Sequence, residues 1–281
     1  MYKNISIIGT GLIGGSLALL LKKVLPDIRL IAVDLPPVIQ NLPENFPFDD
    51  FFETNDISEA VKDSDLIFLG LPISGIINIL PRVMSDSKDG AVICDLGSAN
   101  AAILKEAEKN LIPGKYFIGG HPIGGSEGKG FGDASADYLD GVKFLLSPAS
   151  NVPEDVITKH SDFLTKLNFE VSVIESVIHD RIVAYTSHLP QFISTALALA
   201  IGQIDNTKET MGRGMYTMTR LASSPPEMWN DIIRFNNKEI REAISVFTSV
   251  LSDIEKDILD GSISEKFNSA AKLKKKIRGE S

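Results

Sequence analysis

Residues 4–15, Asn4-Ile5-Ser6-Ile7-Ile8-Gly9-Thr10-Gly11-Leu12-Ile13-Gly14-Gly15, decide the fold. The first five are mostly apolar and read as a buried strand. Glycines at 9, 11 and 14 follow with G-x-G-x-x-G spacing, and Ser16–Lys23, rich in Leu and Ala, then reads as a helix. Gly9 permits a tight turn, Gly11 lets the backbone approach a diphosphate, and Gly14 lets helix and strand pack closely. The helix start, with Leu12 and Ile13 in its first turn, offers free N–H groups to an anion.

The next strand is expected at residues 29–33 and ends at Asp34, 20 residues after Gly14. A carboxylate there accepts hydrogen bonds from a ribose hydroxyl and repels a 2′-phosphate. Leu35-Pro36-Pro37 holds no arginine to receive that phosphate, so the expected cofactor is NAD rather than NADP. FAD proteins share the fingerprint but usually use far more chain to enclose the flavin. A glycine turn that binds nothing is the alternative, and the order strand, motif, helix, acid argues against it.

Further strands are expected at residues 66–71 and 91–95, at Phe144-Leu145-Leu146, and at 170–174, with a short strand-to-loop junction at 118–122. Strands alternating with helices imply a mostly parallel, doubly wound sheet. Leu71, Pro72 and Ser74 fall at the end of the 66–71 strand, where the carboxyl edge of such a sheet borders a cofactor. A plain strand-to-helix turn is the other reading. The proline-rich piece 35–47 reads as a surface loop.

After about residue 175 strand signals almost vanish. Residues 176–202 form a long apolar run of helical period, which Pro190 should kink or break. A second long helical pattern covers 227–260, with Ile232, Ile233, Ile240, Ile244, Phe247, Val250, Leu251, Ile254 and Ile258. The expectation is therefore an α/β Rossmann domain at 1–174 followed by an all-helical domain for substrate and dimerisation at 175–281. The wide apolar helix faces point to a homodimer; full burial within one chain is the alternative.

Composition narrows the function classes. The 281 residues are 43% hydrophobic and 23% charged, as in ordinary globular chains. A net charge of -9 repels nucleic acid. The one basic cluster, Lys272–Lys276 with Arg278, reads as a solvated helix end. Cys94 is the only cysteine, so no disulfide forms within the chain, and a cytosolic setting is expected. No cleavable signal is visible, and no apolar stretch is long enough for a membrane span. No clustered His, Cys or acidic ligands suggest a metal.

Two segments fall at carboxyl ends of expected strands: Asp95-Leu96-Gly97-Ser98-Ala99-Asn100 and Gly120-His121-Pro122-Ile123-Gly124-Gly125-Ser126-Glu127. Oxidation of an alcohol needs a group that takes the hydroxyl proton, and a neutral imidazole such as His121 titrates in a suitable range. Ser98 could bond the same hydroxyl or fix the His121 tautomer. The competing readings are a loop-capping histidine and a helix-capping serine. Arg220 is a forked donor suited to a carboxylate, or else a surface ion-pair partner. Taken alone, His188 and Trp229 read as core residues.

Together these residues resemble the prephenate/arogenate (cyclohexadienyl) dehydrogenase family over nearly the whole chain. The resemblance is carried by Gly9–Gly15, Asp95–Ser98, His121–Glu127, Ser187-His188-Leu189-Pro190, Met218-Thr219-Arg220-Leu221-Ala222 and Pro226-Glu227-Met228-Trp229. It implies a Rossmann domain plus a helical dimerisation domain, and NAD-dependent oxidative decarboxylation of prephenate to 4-hydroxyphenylpyruvate, or of arogenate to tyrosine. It implies that His121 takes the ring-hydroxyl proton, that Ser98 assists, and that Arg220 holds a substrate carboxylate. It places Trp229 near the substrate, in some members from the partner subunit, and gives Glu127 a role in access or ionisation. His188 and Gln191 are expected to line the substrate.

Three positions depart from the family pattern. Gln191 stands where many members have a second histidine, Asn100 where a lysine is frequent, and Thr217 where an acid is frequent. Gln191 cannot carry charge, which opens the choice among prephenate, arogenate and an amino-substituted analogue. The chain leaves no room for a C-terminal regulatory domain, so feedback control through one is not expected. A β-hydroxyacid dehydrogenase would show a Lys-x-x-x-Asn segment, absent around Ser187–Gln191. A non-catalytic NAD(H) sensor would have no use for Ser98, His121 and Arg220 together.

Overall fold

The computed structural model describes residues 2–279 apart from 41–42, 44–45, 127 and 205–206, and the backbone alone at 208. Eight strands form one sheet: β1 (Asn4–Ile8), β2 (Arg29–Asp34), β3 (Asp50–Glu53), β4 (Leu66–Leu69), β5 (Val92–Asp95), β6 (Tyr116–Pro122), β7 (Lys143–Pro148) and β8 (Glu170–Val173). Their spatial order is β3-β2-β1-β4-β5-β6-β7-β8. Every neighbouring pair is parallel except β6 and β7. The chain leaves β1 toward β2 and β3, then crosses back to β4. This reversal puts the topological switch point between β1 and β4, where doubly wound sheets bind ligands.

Burial explains the strand composition. The central strands β4 and β5 are covered on both faces, so Leu66-Ile67-Phe68-Leu69 and Val92-Ile93-Cys94 run apolar without alternation. One face is sealed by α1 (Leu12–Val24) and later by α6 (Glu154–Lys166), through Leu17, Leu21, Phe163 and Leu164. The short α2 (Pro36–Ile39) lies over the β2 end. The opposite face takes α3 (Ile57–Val61), α4 (Ile73–Asp86) and α5 (Ala101–Lys109), through Ile57, Ile76, Leu80 and Ile103.

Beyond β8 every described regular element is helical: α7 (Ser176–Val183), α8 (Leu189–Ile201), α9 (Arg213–Met218), α10 (Pro226–Phe235), α11 (Asn237–Asp260) and α12 (Ile263–Ile277). Their own core is small, with Ala184, Ile232, Ile240 and Ala243 buried and Phe192 and Trp229 packed against them. Val246, Val250, Ile258 and Leu259 on α11 and Phe267 and Ile277 on α12 are left exposed.

Several expectations are refined. The run at 176–202 breaks through a π-helical turn, Ala184–His188, and Pro190 follows in the first turn of α8, where a missing N–H costs nothing. The pattern at 227–260 is two helices, because Asn236 leaves the helix and turns its amide inward. The loop at 35–47 holds α2, which Pro36 starts. β3 was not expected, and the junction at 118–122 lies inside β6, so His121 is a strand residue. No helix among the described residues is long and apolar enough to cross a membrane.

Candidate active site

The glycine turn is built as its spacing requires. Gly9 has φ +92°, and a Cβ there would lie 2.6 Å from the Gly70 carbonyl oxygen and 2.8 Å from the Leu71 side chain. A Cβ on Gly14 would lie 2.0 Å from the Gly9 oxygen. Gly11 differs: a Cβ there meets nothing within 4 Å, so open ground lies over the start of α1. That is the cradle a diphosphate needs, with Leu12 and Ile13 supplying the first helical N–H groups. Gly15 has a separate cause, since Phe131 from the loop after β6 would sit 2.5 Å from its Cβ.

Asp34 closes the turn from the β2 end. Its Oδ2 accepts from Thr10 N at 2.7 Å and Thr10 Oγ1 at 2.8 Å, and its Oδ1 accepts from Leu35 N at 2.8 Å. A carboxylate offers about four acceptor positions, so room remains for a ribose hydroxyl. These features fit a bound NAD. Leu71 lies against Gly9, and Pro72 caps α4. Ser74 has both of its donors committed to Asp231 on α10, from N at 2.8 Å and from Oγ at 2.6 Å.

Asp95 ties the two reacting segments together. It is fully buried; Oδ2 accepts from Gly97 N at 2.9 Å and Oδ1 from Gly120 N at 3.1 Å. It thus fixes the residue before Ser98 and the residue before His121. Burial raises its pKa to about 7, against the pull of those N–H groups. Ser98 sits on a bend, partly exposed.

From β6, His121 reaches into the helical region. Its Nδ1 is 2.9 Å from His179 Nε2, and His179 Nδ1 is 2.8 Å from Asp180 Oδ1. The carboxylate can only accept, so His179 carries its proton on Nδ1 and accepts at Nε2. His121 must then donate from Nδ1, which leaves its Nε2 lone pair free: the tautomer of a general base. Asp180 is held in turn by Asn100 N at 2.7 Å and Ala101 N at 3.0 Å, the start of α5. Burial lowers the His121 pKa well below its ordinary 6.5, and the nearby His179 and His188 add to this.

His188 joins the cluster across the π-helical turn. Nine residues of α-helix would set His179 and His188 about half a turn apart; the wider turn takes up part of that rotation, and both are buried. His188 Nδ1 lies 3.3 Å from Asn236 Nδ2, whose amide also donates to the Asp180 carbonyl at 2.9 Å. Burial holds the His188 pKa down to about 4. Its ring stands perpendicular to Trp229, with centroids 5.9 Å apart. His188 Nε2 and Trp229 Nε1 are buried without hydrogen-bond partners, as are both polar atoms of the Asn100 side chain.

The expected substrate residues divide. Gln191 Nε2 donates to the Leu221 carbonyl at 2.8 Å, and Ser224 Oγ donates to Gln191 Oε1 at 3.1 Å. Its side chain holds the short turn Arg220–Ser223, from which Arg220 reaches solvent. Glu127 lies outside the described residues. A cleft of about 270 Å³ separates Gly128 and Lys129 from Pro225 and Met228, spanned by a Lys129–Glu227 pair at 3.7 Å. A larger groove of about 600 Å³ lies along α6 and contains none of these residues.

His179, Asp180 and Asn236 escaped sequence reasoning. The available signal was an adjacent His-Asp pair in an otherwise apolar helical run, where such residues are buried only when paired.

Comparison with known proteins matches this layout. The prephenate dehydrogenase nucleotide-binding domain matches residues 17–173, and the prephenate dehydrogenase dimerization domain matches residues 175–272. The chain is 27% identical to the cyclohexadienyl dehydrogenase of Zymomonas mobilis over 261 residues, covering 91% of this chain and 87% of that one. It is 28% identical to the prephenate dehydrogenase of Lactococcus lactis, covering 90% and 70%. The fold superposes on Aquifex aeolicus prephenate dehydrogenase, solved with hydroxyphenyl propionate and NAD+, with TM-score 0.86 at 22% identity and 98% of each chain covered. On both the sequence and the architecture, this chain belongs to the prephenate dehydrogenase family.

Proposed function

We propose that the protein is an NAD-dependent dehydrogenase that oxidises and decarboxylates prephenate or arogenate, in tyrosine biosynthesis. The observation that carries this reading is the hydrogen-bonded series His121–His179–Asp180, which presents a free imidazole nitrogen at the carboxyl edge of the sheet. NAD, when bound, supplies the hydride acceptor. The glycine turn holds the diphosphate through Gly9, Gly11, Leu12, Ile13 and Gly14, with Asp34 on the ribose and Leu71 and Pro72 bordering it.

His121 Nε2 takes the ring-hydroxyl proton, and the resulting imidazolium is stabilised through His179 by the Asp180 carboxylate. Ser98, on the bend fixed by Asp95, hydrogen-bonds the same hydroxyl. The ring carboxylate leaves as CO2, its bonding pair enters the ring, and the ring oxygen takes the proton back from His121 as the phenol forms; the gain in aromaticity makes the step irreversible. Arg220 holds a substrate carboxylate, and Glu127 modulates access or ionisation. His188 Nε2 and Trp229 Nε1 are buried donors without acceptors, suited to a substrate oxygen. Gln191 keeps an uncharged surface beside the substrate, which also suits an amino-substituted prephenate.

We further propose a division between residues 174 and 175, a homodimer formed through the apolar faces of α11 and α12, and a cytoplasmic setting in keeping with the single buried thiol of Cys94. The test is NADH formation with prephenate and with arogenate, each with NAD and NADP. Turnover of either acid with NAD preferred is expected. Folded, NAD-binding protein that oxidises neither acid overturns the reading.

A further inference from the structure

Helix α10 has two working faces. Trp229, Ile232 and Asn236, spaced three and four apart, face the helical region. Ile232 is buried in its small core, Trp229 packs against that core, and Asn236 holds His188 and the Asp180 carbonyl. Asp231 and Phe235, also four apart, face the other way. Phe235 packs against the apolar cluster under β4 and β5, and Asp231 receives both donors of Ser74.

The Ser74 contact falls where α4 begins, directly after Leu71 and Pro72 at the β4 end. A carboxylate at a helix start meets unpaired N–H groups and the positive end of the helix dipole. Here the carboxylate comes from 157 residues further along the chain. Helix α10 therefore braces the cofactor edge of the sheet against the elements that hold the histidines.

We infer that Ser74 and Asp231 form an interdomain latch, and that both are positioning residues that set the cofactor-side turn at the correct separation from His121 and His188. The inference rests on the dehydrogenase reading above for its kinetic consequence, and on the α4–α10 contact alone for its structural one. Hydride transfer depends steeply on distance, so a loosened latch lowers the rate of the bound complex more than it weakens nucleotide binding.

The test compares Ser74→Ala, Asp231→Ala, the double variant and Ser74→Thr in the full chain. NAD affinity is read by calorimetry, turnover with prephenate by NADH formation, and the environment of Trp229, the only tryptophan, by its emission and acrylamide quenching. Each single alanine variant is expected to lower kcat by about tenfold, and the double variant by no more than either single, as coupled neighbours behave. NAD affinity stays within about threefold, a small part of a typical binding free energy. Ser74→Thr, which keeps the hydroxyl, restores turnover. Quenching of Trp229 rises in Ser74→Ala although Ser74 lies on the other domain.

Losses that multiply in the double variant, or kcat within twofold of the parent in both singles, would overturn the latch. If the parent itself oxidises neither prephenate nor arogenate, the dehydrogenase reading fails separately. Trp229 quenching then decides the latch: a rise in Ser74→Ala supports it, and unchanged quenching refutes it.

Discussion

His121 Nδ1 meets His179 Nε2 at 2.9 Å, so β6 of the nucleotide-binding half is hydrogen-bonded into α7, the first helix of the other half. This bond fixes which His121 nitrogen is basic. His121→Asn is expected to lower kcat about a hundredfold or more, the scale of a lost acid–base group. His179→Gln leaves the Asp180 cap on α5 in place but ends the link through which the carboxylate stabilises the His121 imidazolium, and should lower kcat by at least about tenfold. Steady-state rates, with NAD affinity measured in parallel, check both; parent-like turnover in His179→Gln removes the series from the mechanism.

The pH profile follows from the same crowding. The base works unprotonated, and burial places the His121 pKa well below 6.5. Activity should therefore persist as pH falls through 6.5 and decline only at lower pH. A kcat/KM profile, which reports the free enzyme, measures this. A half-loss of kcat/KM centred at 6.5 would contradict it.

A different histidine, outside the site, contributes to the loss of stability in acid. His160 is buried beside Tyr2 and Phe68, its Nε2 has no partner, and its pKa is held down to about 3. Between that value and 6.5 the unfolded chain binds a proton that the folded chain refuses. This contribution to stability is present above 6.5 and is lost as pH falls toward 3. His160→Phe should flatten that decline by up to about 1.4 kcal/mol per pH unit. Urea unfolding at pH 7, 6, 5 and 4 checks it, and equal slopes in both proteins would count against it.

Gln191 anchors both ends of the Arg220 turn, to the Leu221 carbonyl and the Ser224 hydroxyl. Gln191→Ala removes two hydrogen bonds of about 1 kcal/mol each. The KM for the acid should rise about tenfold, with kcat within about threefold, because orientation of a carboxylate is lost and proton transfer is not. A fall in kcat with KM unchanged would give Gln191 a place in the chemical step instead.

Cofactor choice rests on one charge. Asp34→Asn keeps one acceptor oxygen for Thr10, gives up the bond from Leu35 N, and removes the repulsion of a 2′-phosphate. The preference for NAD over NADP should narrow by about tenfold or more, as removal of a nearby like charge allows. The ratio of kcat/KM values measures it.

What was legible in the sequence was local. The glycine spacing fixed the turn because Gly9, Gly14 and Gly70 meet through backbone atoms within a few residues of strand ends. The strand runs at β4 and β5 showed because both faces are buried. The break at Asn236 was hidden because apolar spacing continues on either side of it. Burial of Ile232 and Ile240 satisfies a helical period without revealing that the chain turns between them. The His121–His179 contact spans 58 residues and joins a strand to a helix, and no periodicity records such a meeting. Ser74 read as a cofactor residue from its place on the β4 edge. Its partner, Asp231, sits in a helix whose polar positions look solvated until the other domain is placed against it.

Asp180 stands at a corner where three lines of the molecule cross: its carboxylate caps α5 and orients His179, and its carbonyl receives Asn236. Inheritance acts on such a corner as a unit. A change at Asp180, His179 or Asn236 leaves a buried partner without its hydrogen bond, so the three are coupled. Gln191 on α8, Thr217 on α9 and Arg220 on the turn after it lie outside this corner, so a change of substrate there leaves the proton chemistry in place.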